Sequence, residues 1–429
     1  MTVSIIGAGL AGCEAAWILA QAGVKVRLHE MKPNKYSPAH KYNGFAELVC
    51  SNSLKAEREA SAGGLLKAEM RLLGSLLLQC ADRTRVPAGG ALAVDRENFS
   101  DEVTAKIRSH PNIEICEGEV VKLPEGYVIV ATGPLTSDEL AKAITGLCGE
   151  ALSFYDAAAP IITAESVNMD KAFFAARYDR GDEDDYVNCP FNREEYERFY
   201  DAIISAETAE LHEFEKGRVY EGCMPVEVMA KRGPDTLRFG PLRPVGLRDP
   251  RTNHRPWAVV QLRRENAQGS LYNLVGFQTN LRFAEQKRVF SLIPGLENMD
   301  VVRYGVMHRN TFLDSPRLLN SGFALKKEPR IRFAGQITGV EGYMESAMSG
   351  LVTAHQLLCE LAGKPPLKFP PETMCGALCN YISDESVENF QPMGANIGLL
   401  QPLKERVKGK QARYQALADI ALEKMRNIL

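Results

Sequence analysis

The segment Gly7-Ala8-Gly9-Leu10-Ala11-Gly12 decides most of what the N-terminal part of this chain can become. It follows a short apolar run, Val3-Ser4-Ile5-Ile6, and leads into an Ala-rich, helix-forming stretch from Cys13 to Gln21. A second strand-like run, Val24 to His29, ends at Glu30. The glycine spacing alone is a weak signal. Between a strand and a helix, with an acid closing the next strand, it specifies a nucleotide-binding βαβ unit. The first glycine allows the tight turn, the second lets a pyrophosphate approach the backbone, and the third lets the helix pack on the strand. The helix N-terminus adds N–H donors and the positive end of a dipole. Glu30 is placed to accept hydrogen bonds from an adenosine ribose, which disfavours a 2'-phosphate there.

Two later segments read as parts of the same sheet. Tyr127 to Val130 is a β-branched strand that runs into Ala131-Thr132-Gly133-Pro134, and Ile331 to Ala334 is another, followed by Gly335 and Gln336. After Gly339, Glu341 and Gly342, a helix is expected from about Tyr343 to Ala362. The Ala-Thr-Gly turn resembles the strand end that returns to the dinucleotide domain in flavoproteins related to glutathione reductase, and the late strand-to-helix turn resembles their flavin-contacting element. A helix N-terminus there would stabilise negative charge on a reduced isoalloxazine. Together these features favour FAD over NAD as the resident cofactor.

The remaining composition is that of an ordinary folded protein. With 429 residues, two or three domains and a large core are expected. A net charge of -3 excludes a globally basic nucleic-acid binder, so any polyanion must meet a local patch. Ten scattered cysteines read as reduced thiols of a cytoplasmic protein. No C-x-x-C occurs, and Cys375 and Cys379 have no second ligand pair nearby, so no metal is expected. The apolar N-terminus lacks a basic leader region, and no run of about 18 apolar residues spans a membrane.

The middle of the chain differs. Residues 179 to 185 are an acidic run read as a solvated loop, and Tyr196 to Phe214 has the spacing of a packed helix. From Lys231 to Arg264 there are nine Lys plus Arg against two acids. Such a stretch fits RNA phosphate contacts, with a solvated or pyrophosphate-binding face as the alternative. Lys404, Arg406, Lys408, Lys410 and Arg413 form a second basic cluster, read as part of a terminal helix.

Most of the cysteines stand in apolar contexts and read as small buried hydrophobes. Two do not. Cys50 precedes Ser51-Asn52-Ser53, read as a helix start whose N–H groups favour a thiolate, and Cys223 lies in the loop-like Tyr220-Glu221-Gly222-Cys223-Met224-Pro225. Two thiols beside a flavin allow dithiol oxidoreduction, which normally uses cysteines close in sequence. They also allow addition of a thiolate to C6 of a uracil, which makes C5 nucleophilic toward a one-carbon unit.

Longer motifs carry a resemblance over essentially the whole chain. They are residues 44–54 (Gly-Phe-Ala-Glu-Leu-Val-Cys-Ser-Asn-Ser-Leu), 221–225 (Glu-Gly-Cys-Met-Pro), 275–280 (Val-Gly-Phe-Gln-Thr-Asn), 303–311 (Arg-Tyr-Gly-Val-Met-His-Arg-Asn-Thr) and 335–343 (Gly-Gln-Ile-Thr-Gly-Val-Glu-Gly-Tyr). They resemble the folate- and FAD-dependent tRNA (uracil-5-)-methyltransferase family. That resemblance implies that 5,10-methylenetetrahydrofolate donates the carbon, that reduced FAD relays it and supplies the hydride, and that NAD(P)H regenerates the flavin. The implied target is uridine 54 in the T-loop of tRNA. It further implies Cys223 as the nucleophile at C6 and Cys50, beside the flavin, as the base at C5. His308, with Arg309 and Asn310, becomes a candidate for contact with the folate pterin, a core histidine being the alternative. Tyr343 becomes a candidate to stack near the isoalloxazine or the base, or to pack.

The expected fold is α/β, a Rossmann-like FAD domain of the glutathione-reductase type from residues 1–155 and 300–429, with an inserted α+β domain at 156–299. Rivals are a ribosomal-RNA-directed relative, a small-molecule FAD oxidoreductase and a non-enzymatic flavin-containing RNA binder. The related flavoprotein acting on wobble uridine is longer, with a C-terminal helical domain for which this chain is expected to have no room.

Overall fold

The computed structural model describes the chain except residues 150–151, 180–184, 210–223, 388–389, 406 and 429, and describes backbone alone at 152–157, 179 and 307–310. In chain order the first part runs β1 Thr2–Ile6, α1 Leu10–Gln21, β2 Lys25–Glu30, β3 Ser53–Ala56, α2 Ala62–Leu72, α3 Leu76–Arg83, β4 Arg85–Val86, β5 Ala91–Val94, α4 Arg96–Ser109, β6 Ile113–Glu117, β7 Tyr127–Val130 and α5 Asp138–Cys148. The middle contains β8 Leu152–Ala157, β9 Ile161–Thr163, β10 Phe173–Phe174, β11 Tyr186–Phe191, α6 Arg193–Ile204, α7 Val226–Ala230, α8 Thr236–Phe239, β12 Ala258–Arg264, β13 Leu271–Leu274, α9 Phe283–Phe290, β14 Val301–Arg303, β15 Met307–Phe312 and α10 Ser315–Leu318. The last part has β16 Ile331–Phe333, α11 Tyr343–Leu361, α12 Met374–Ser383 and α13 Lys410–Arg426.

Five parallel strands in the order β16-β7-β1-β2-β6 form the nucleotide-binding sheet. Their central residues, among them Val3, Ile5, Leu28, Ile129 and Phe333, are fully buried, as a sheet covered on both faces requires. Helix α1 packs on α11 at very short range. A Cβ at Gly350 would lie 2.2 Å from the Ala11 carbonyl oxygen, so only glycine permits this crossing. A three-stranded antiparallel sheet, β3-β5-β4, adds to this half.

The second sheet, β10-β11-β12-β13-β9-β14, is antiparallel throughout and has its own core. Phe191, Phe199, Phe277 and Phe290 form a chain of ring contacts between this sheet and helices α6 and α9. One core draws on residues between 3 and 144 and between 312 and 425, the other on residues between 159 and 299. A separate ribbon, β8 against β15, joins the chain segments entering and leaving the second core. The architecture is the expected α/β one.

Local expectations fared unevenly. Helix α6 ends at Ile204, well before Phe214; Thr208 bridges Leu281 instead, and residues 210–214 lie outside the described ones. Of the acidic run read as solvated, 180–184 also lie outside, and Asp185 is buried. Helix α13 begins only at Lys410, so Lys404 and Lys408 precede it, and Arg406 lies outside the described residues. Among the described residues, no helix is long and apolar enough to cross a membrane.

Two buried carboxyl groups tie helices together. Glu14 of α1 accepts hydrogen bonds from the Ser75 hydroxyl and from the Leu76 and Leu77 N–H groups at the start of α3. Glu69 of α2 accepts from Met374 and Cys375 N–H at the start of α12, both at 2.7 Å. Burial pushes each up to about 7, against opposition from those N–H donors. The folded protein therefore retains protons that the unfolded chain, with an ordinary carboxyl value of 4.5, has already lost. Between those values stability falls as pH rises. Glu69→Gln removes one share of this slope: its melting temperature declines less than that of the wild type between about pH 5 and 7 in a thermal-shift titration.

Candidate active site

A cleft of about 170 Å³ runs across the carboxyl ends of the parallel strands. Gly7, Ala8, Gly9, Leu10 and Ala11 line it, with Glu30, Thr132, Gly133, Gly335, Gln336 and Tyr343. Segments far apart in sequence thus share one wall. Gly7 has φ of 101°, and a Cβ there would stand 2.6 Å from the Ala131 carbonyl oxygen. A Cβ at Gly12 would stand 1.8 Å from the Gly7 oxygen, so Gly12 serves the packing beneath the cleft and does not line it. Gly9 differs: it caps α1 with an ordinary negative φ, and a Cβ would meet no atom within 4 Å. The space that a side chain would fill there is the cleft itself.

Helix α1 has no acid in its first turn and no side-chain cap, so its leading N–H groups remain available to an anion. The buried Glu30 carboxylate accepts from the Ala8 N–H at 2.8 Å and the Lys32 N–H at 3.0 Å. These residues fit a bound dinucleotide, with pyrophosphate at the helix start and a ribose near Glu30. The other expected contacts sit behind the wall. Gly339 adopts a left-handed conformation against the Phe390 ring, Glu341 accepts from the Gln336 amide at 2.5 Å, and Gly342 opens α11 beside Lys55 and Glu345.

Sequence reading passed over Lys32, Ser37, His40 and Glu47, which also line the cleft. The Lys32 ammonium donates to the Tyr42 and Gly44 carbonyls at 2.9 and 2.5 Å and lies 3.4 Å from Glu47, folding the loop between them over the cleft. Irregular loops carry no periodicity, and the one available signal was the presence of Glu47 in the 44–54 motif.

The Cys50 loop closes the cleft near Tyr343 and Val49. Ser51-Asn52-Ser53 does not start a helix; Ser53 begins strand β3. The expected helix N–H groups are replaced by three guanidinium groups. Arg96 donates to the Leu48 carbonyl at 2.6 Å and the Cys50 carbonyl at 3.2 Å, and Arg303 donates to the Val49 carbonyl. Arg263 donates to Ser51 Oγ at 2.7 Å and Asn52 Oδ1 at 2.9 Å. Glu265 pairs with Arg96 at 2.6 Å, both side chains being largely buried, whereas the bonds of Arg263 and Arg303 go to neutral oxygens. Burial lowers the pKa of both Arg263 and Arg303, and an anion beside them relieves that cost. This setting favours a thiolate at the half-buried Cys50. Tyr343 Oη accepts from the Cys50 and Ser51 N–H groups at 2.6 and 3.0 Å, so this ring pins the thiol loop to the start of α11. Burial, and then the charge of Cys50, push its phenol pKa up, keeping it protonated.

Cys223 lies outside the described residues, but both flanks of its segment are anchored on the 275–280 motif. Ala209 N–H donates to the Asn280 carbonyl before it, and Val226 N–H donates to the Gln278 carbonyl after it. The buried Glu227 carboxylate accepts from Thr279 Oγ at 2.9 Å and Asn280 N–H at 2.7 Å. His308, Arg309 and Asn310 stand on β15 opposite Asp156, Tyr155 and Phe154 of β8, and their side chains lie outside the described set. The arginine-rich stretch is not one open basic face. Arg263 is buried under the thiol loop, Arg251 is held by Asp249, and Arg238 lies over Trp257 and pairs with Asp235. No group of three residues that could hold a metal occurs among the described residues.

The family model of glucose inhibited division protein A (GidA) matches residues 2–365. A methylenetetrahydrofolate--tRNA-(uracil-5-)-methyltransferase TrmFO from Acetivibrio thermocellus is 58% identical over 98% of this chain and 97% of its own length. The protein of the same name from Heliobacterium modesticaldum is 58% identical over 100% of this chain and 98% of its own. The crystal structure of Aquifex aeolicus GidA in form II superposes with a TM-score of 0.72 at 16% identity, covering 100% of this chain and 73% of that one, a likeness of fold.

The Arg96–Glu265 pair joins the start of α4 to the end of strand β12, and removing one partner strands a buried charge. Arg96→Met is expected to destabilise by about 3 kcal/mol. Arg96→Met/Glu265→Leu should be less unstable than the sum of the two single variants, as a double-mutant cycle by chemical denaturation would report.

Proposed function

This chain belongs to the GidA family and, within it, to the methylenetetrahydrofolate--tRNA-(uracil-5-)-methyltransferases, and from that membership we propose that it methylates C5 of a uridine in tRNA. The observation that carries the reading is identity of 58% over nearly the whole of both chains, joined to a thiol loop in the wall of a dinucleotide cleft. The resident cofactor is FAD, held by Gly7 to Ala11, Glu30, Thr132, Gly133, Gly335 and Gln336, with Tyr343 at the flavin end; Gly12, Gly339, Glu341 and Gly342 shape the wall from behind. We divide the chain into an FAD domain, 1–155 with 300–429, and an inserted domain, 156–299, on the support of the two separate cores.

When bound, FAD would be held by the cleft residues and, reduced by NAD(P)H, would supply the carrier for the one-carbon unit of methylenetetrahydrofolate and the hydride that turns that unit, once on C5, into a methyl group. The chain's own residues handle the base. The Cys223 thiolate adds to C6, which makes C5 nucleophilic. Once C5 has gained its new carbon, Cys50 removes the C5 proton. The electron pair of that bond then re-forms the C5–C6 double bond and expels the Cys223 sulfur. The arginines around Cys50 keep it in the anionic state that a base requires. His308, Arg309 and Asn310 are assigned to the folate side, on the strand that follows Arg303. The target is position 54 of the T-loop, and the reaction places the protein in the cytoplasm.

Isotopically labelled methylenetetrahydrofolate with NADPH should put label on C5 of uridine in unmodified tRNA. Label on ribosomal RNA alone would change the substrate, and no label on either with a reducible flavin would sink the reading. Cys223→Ala should bind flavin and tRNA and transfer no carbon; Cys50→Ala should be strongly impaired. A Cβ at Gly9 meets no protein atom within 4 Å, so Gly9→Ala and Gly9→Val should melt like the flavin-free wild type, and Gly9→Val should purify without the absorbance of bound flavin.

A further inference from the structure

Helix α8 exposes Phe239 to 79%, more than any other aromatic side chain among the described exposed hydrophobics. Its setting is rigid. Leu237 and Leu242 on either side are fully buried, Leu242 N–H donates to the Leu237 carbonyl at 2.9 Å, and Val259 N–H donates to the Leu242 carbonyl. The neighbouring Arg238 lies 3.7 Å over the Trp257 ring. Phe239 therefore stands in water on a turn that is fixed at both ends.

The turn adjoins the elements assigned to the uracil chemistry. Helix α8 packs on α7, which begins three residues after Cys223. Pro241, two residues beyond Phe239, packs so closely on Gly276 that a Cβ there would fall 2.6 Å from its own. Between positions 231 and 243 the chain carries Lys231, Arg232, Arg238 and Arg243 against a single acid, Asp235, and Lys231, Arg232 and Arg243 are exposed. An exposed aromatic ring within a basic turn matches the surface that holds unpaired nucleotides, where a base stacks on the ring and the cations meet its phosphates.

We propose that Phe239, with the exposed Lys231 and Arg243 of the same stretch, forms a stacking platform for an unpaired nucleotide of the tRNA, outside the catalytic cleft. This rests on the tRNA reading above and extends it to a docking surface. The chemistry required of the occupant is a base face with phosphates on either side, which a loop region offers and a stacked duplex does not.

The test is equilibrium binding of unmodified tRNA to the flavin-loaded enzyme across a salt series, measured by fluorescence anisotropy. Phe239→Ala is expected to weaken binding about 5- to 150-fold, the range that loss of one base–aromatic stack spans, with the salt slope, flavin absorbance and melting temperature unchanged. Lys231→Ala and Arg243→Ala should each lower the salt slope by about one. Undiminished affinity of Phe239→Ala for a tRNA that the wild type binds overturns the proposal and leaves the methyltransferase reading intact. A wild type that binds no tRNA overturns both. Unchanged tRNA affinity together with altered sedimentation of Phe239→Ala would assign the ring to a contact between protein chains, which also overturns it.

Discussion

Helix α1 is pressed against two neighbours at once, and the nucleotide half depends on that fit. Below, Gly12 lies against the Gly7 carbonyl; alongside, Ala11 lies against Gly350 of α11. The same contacts aim the α1 N-terminus at the cleft and set α11 beside it with Tyr343 at its head. A side chain at Gly12 would push α1 off the Gly7 turn and one at Gly350 would push α1 and α11 apart, so the geometry of the cofactor cleft follows directly from interior packing. The two capping carboxyls extend the arrangement, Glu14 fixing α3 against α1 and Glu69 fixing α12 against α2.

The junction between the two cores is built on different physics. Here arginines grip backbone carbonyls and polar side chains: Arg96 and Arg303 hold Leu48, Val49 and Cys50, while Arg263 reaches Ser51 and Asn52. Asn52 completes the contact by donating to the Val94 and Arg264 carbonyls at 3.0 and 2.8 Å. Buried charge is a costly way to join two cores, and an apolar interface would hold as well. What it adds here is electrostatic. A thiol surrounded by guanidinium groups becomes an anion more readily than one in an apolar seam.

The nucleotide-binding half was legible because its signals are local. A glycine spacing, two strand runs and an acid at a strand end each lie within a few residues, and β1, α1, β2, β7 and α11 formed close to where those signals placed them. Ser51-Asn52-Ser53 misled because polar residues of that type cap helices when nothing else satisfies them. Here Arg263, 211 residues from Asn52, satisfies them, and the segment is free to extend into a strand. The basic stretch was legible only in part for the same reason. Counting charge cannot distinguish Arg263, buried under the loop, from Arg243, in water. Phe239 gave no signal at all, since an aromatic residue in a turn reads as packed until its exposure is known.

Cys50 and the described flanks of the Cys223 segment are held by different sets of contacts, and the difference bears on the roles proposed for the two thiols. A base must meet one proton at one position, and Cys50 is fixed through its own N–H and carbonyl by Tyr343 and Arg96. A nucleophile that forms and then breaks a bond to the ring must follow C6 as it changes from planar to tetrahedral and back. The anchors nearest Cys223 lie to either side of it, at Ala209 and Val226, and both end on the single 278–280 stretch. That stretch is itself clamped by Glu227, so the two described flanks share one footing. Gly305 ties this footing to the strand that bears Arg303, through paired hydrogen bonds with Gln286 at 2.8 and 2.9 Å. Arg303 in turn reaches the Cys50 loop. The residues that hold the Cys50 loop and those that anchor the flanks of the Cys223 segment are thus linked by hydrogen bonds across the junction.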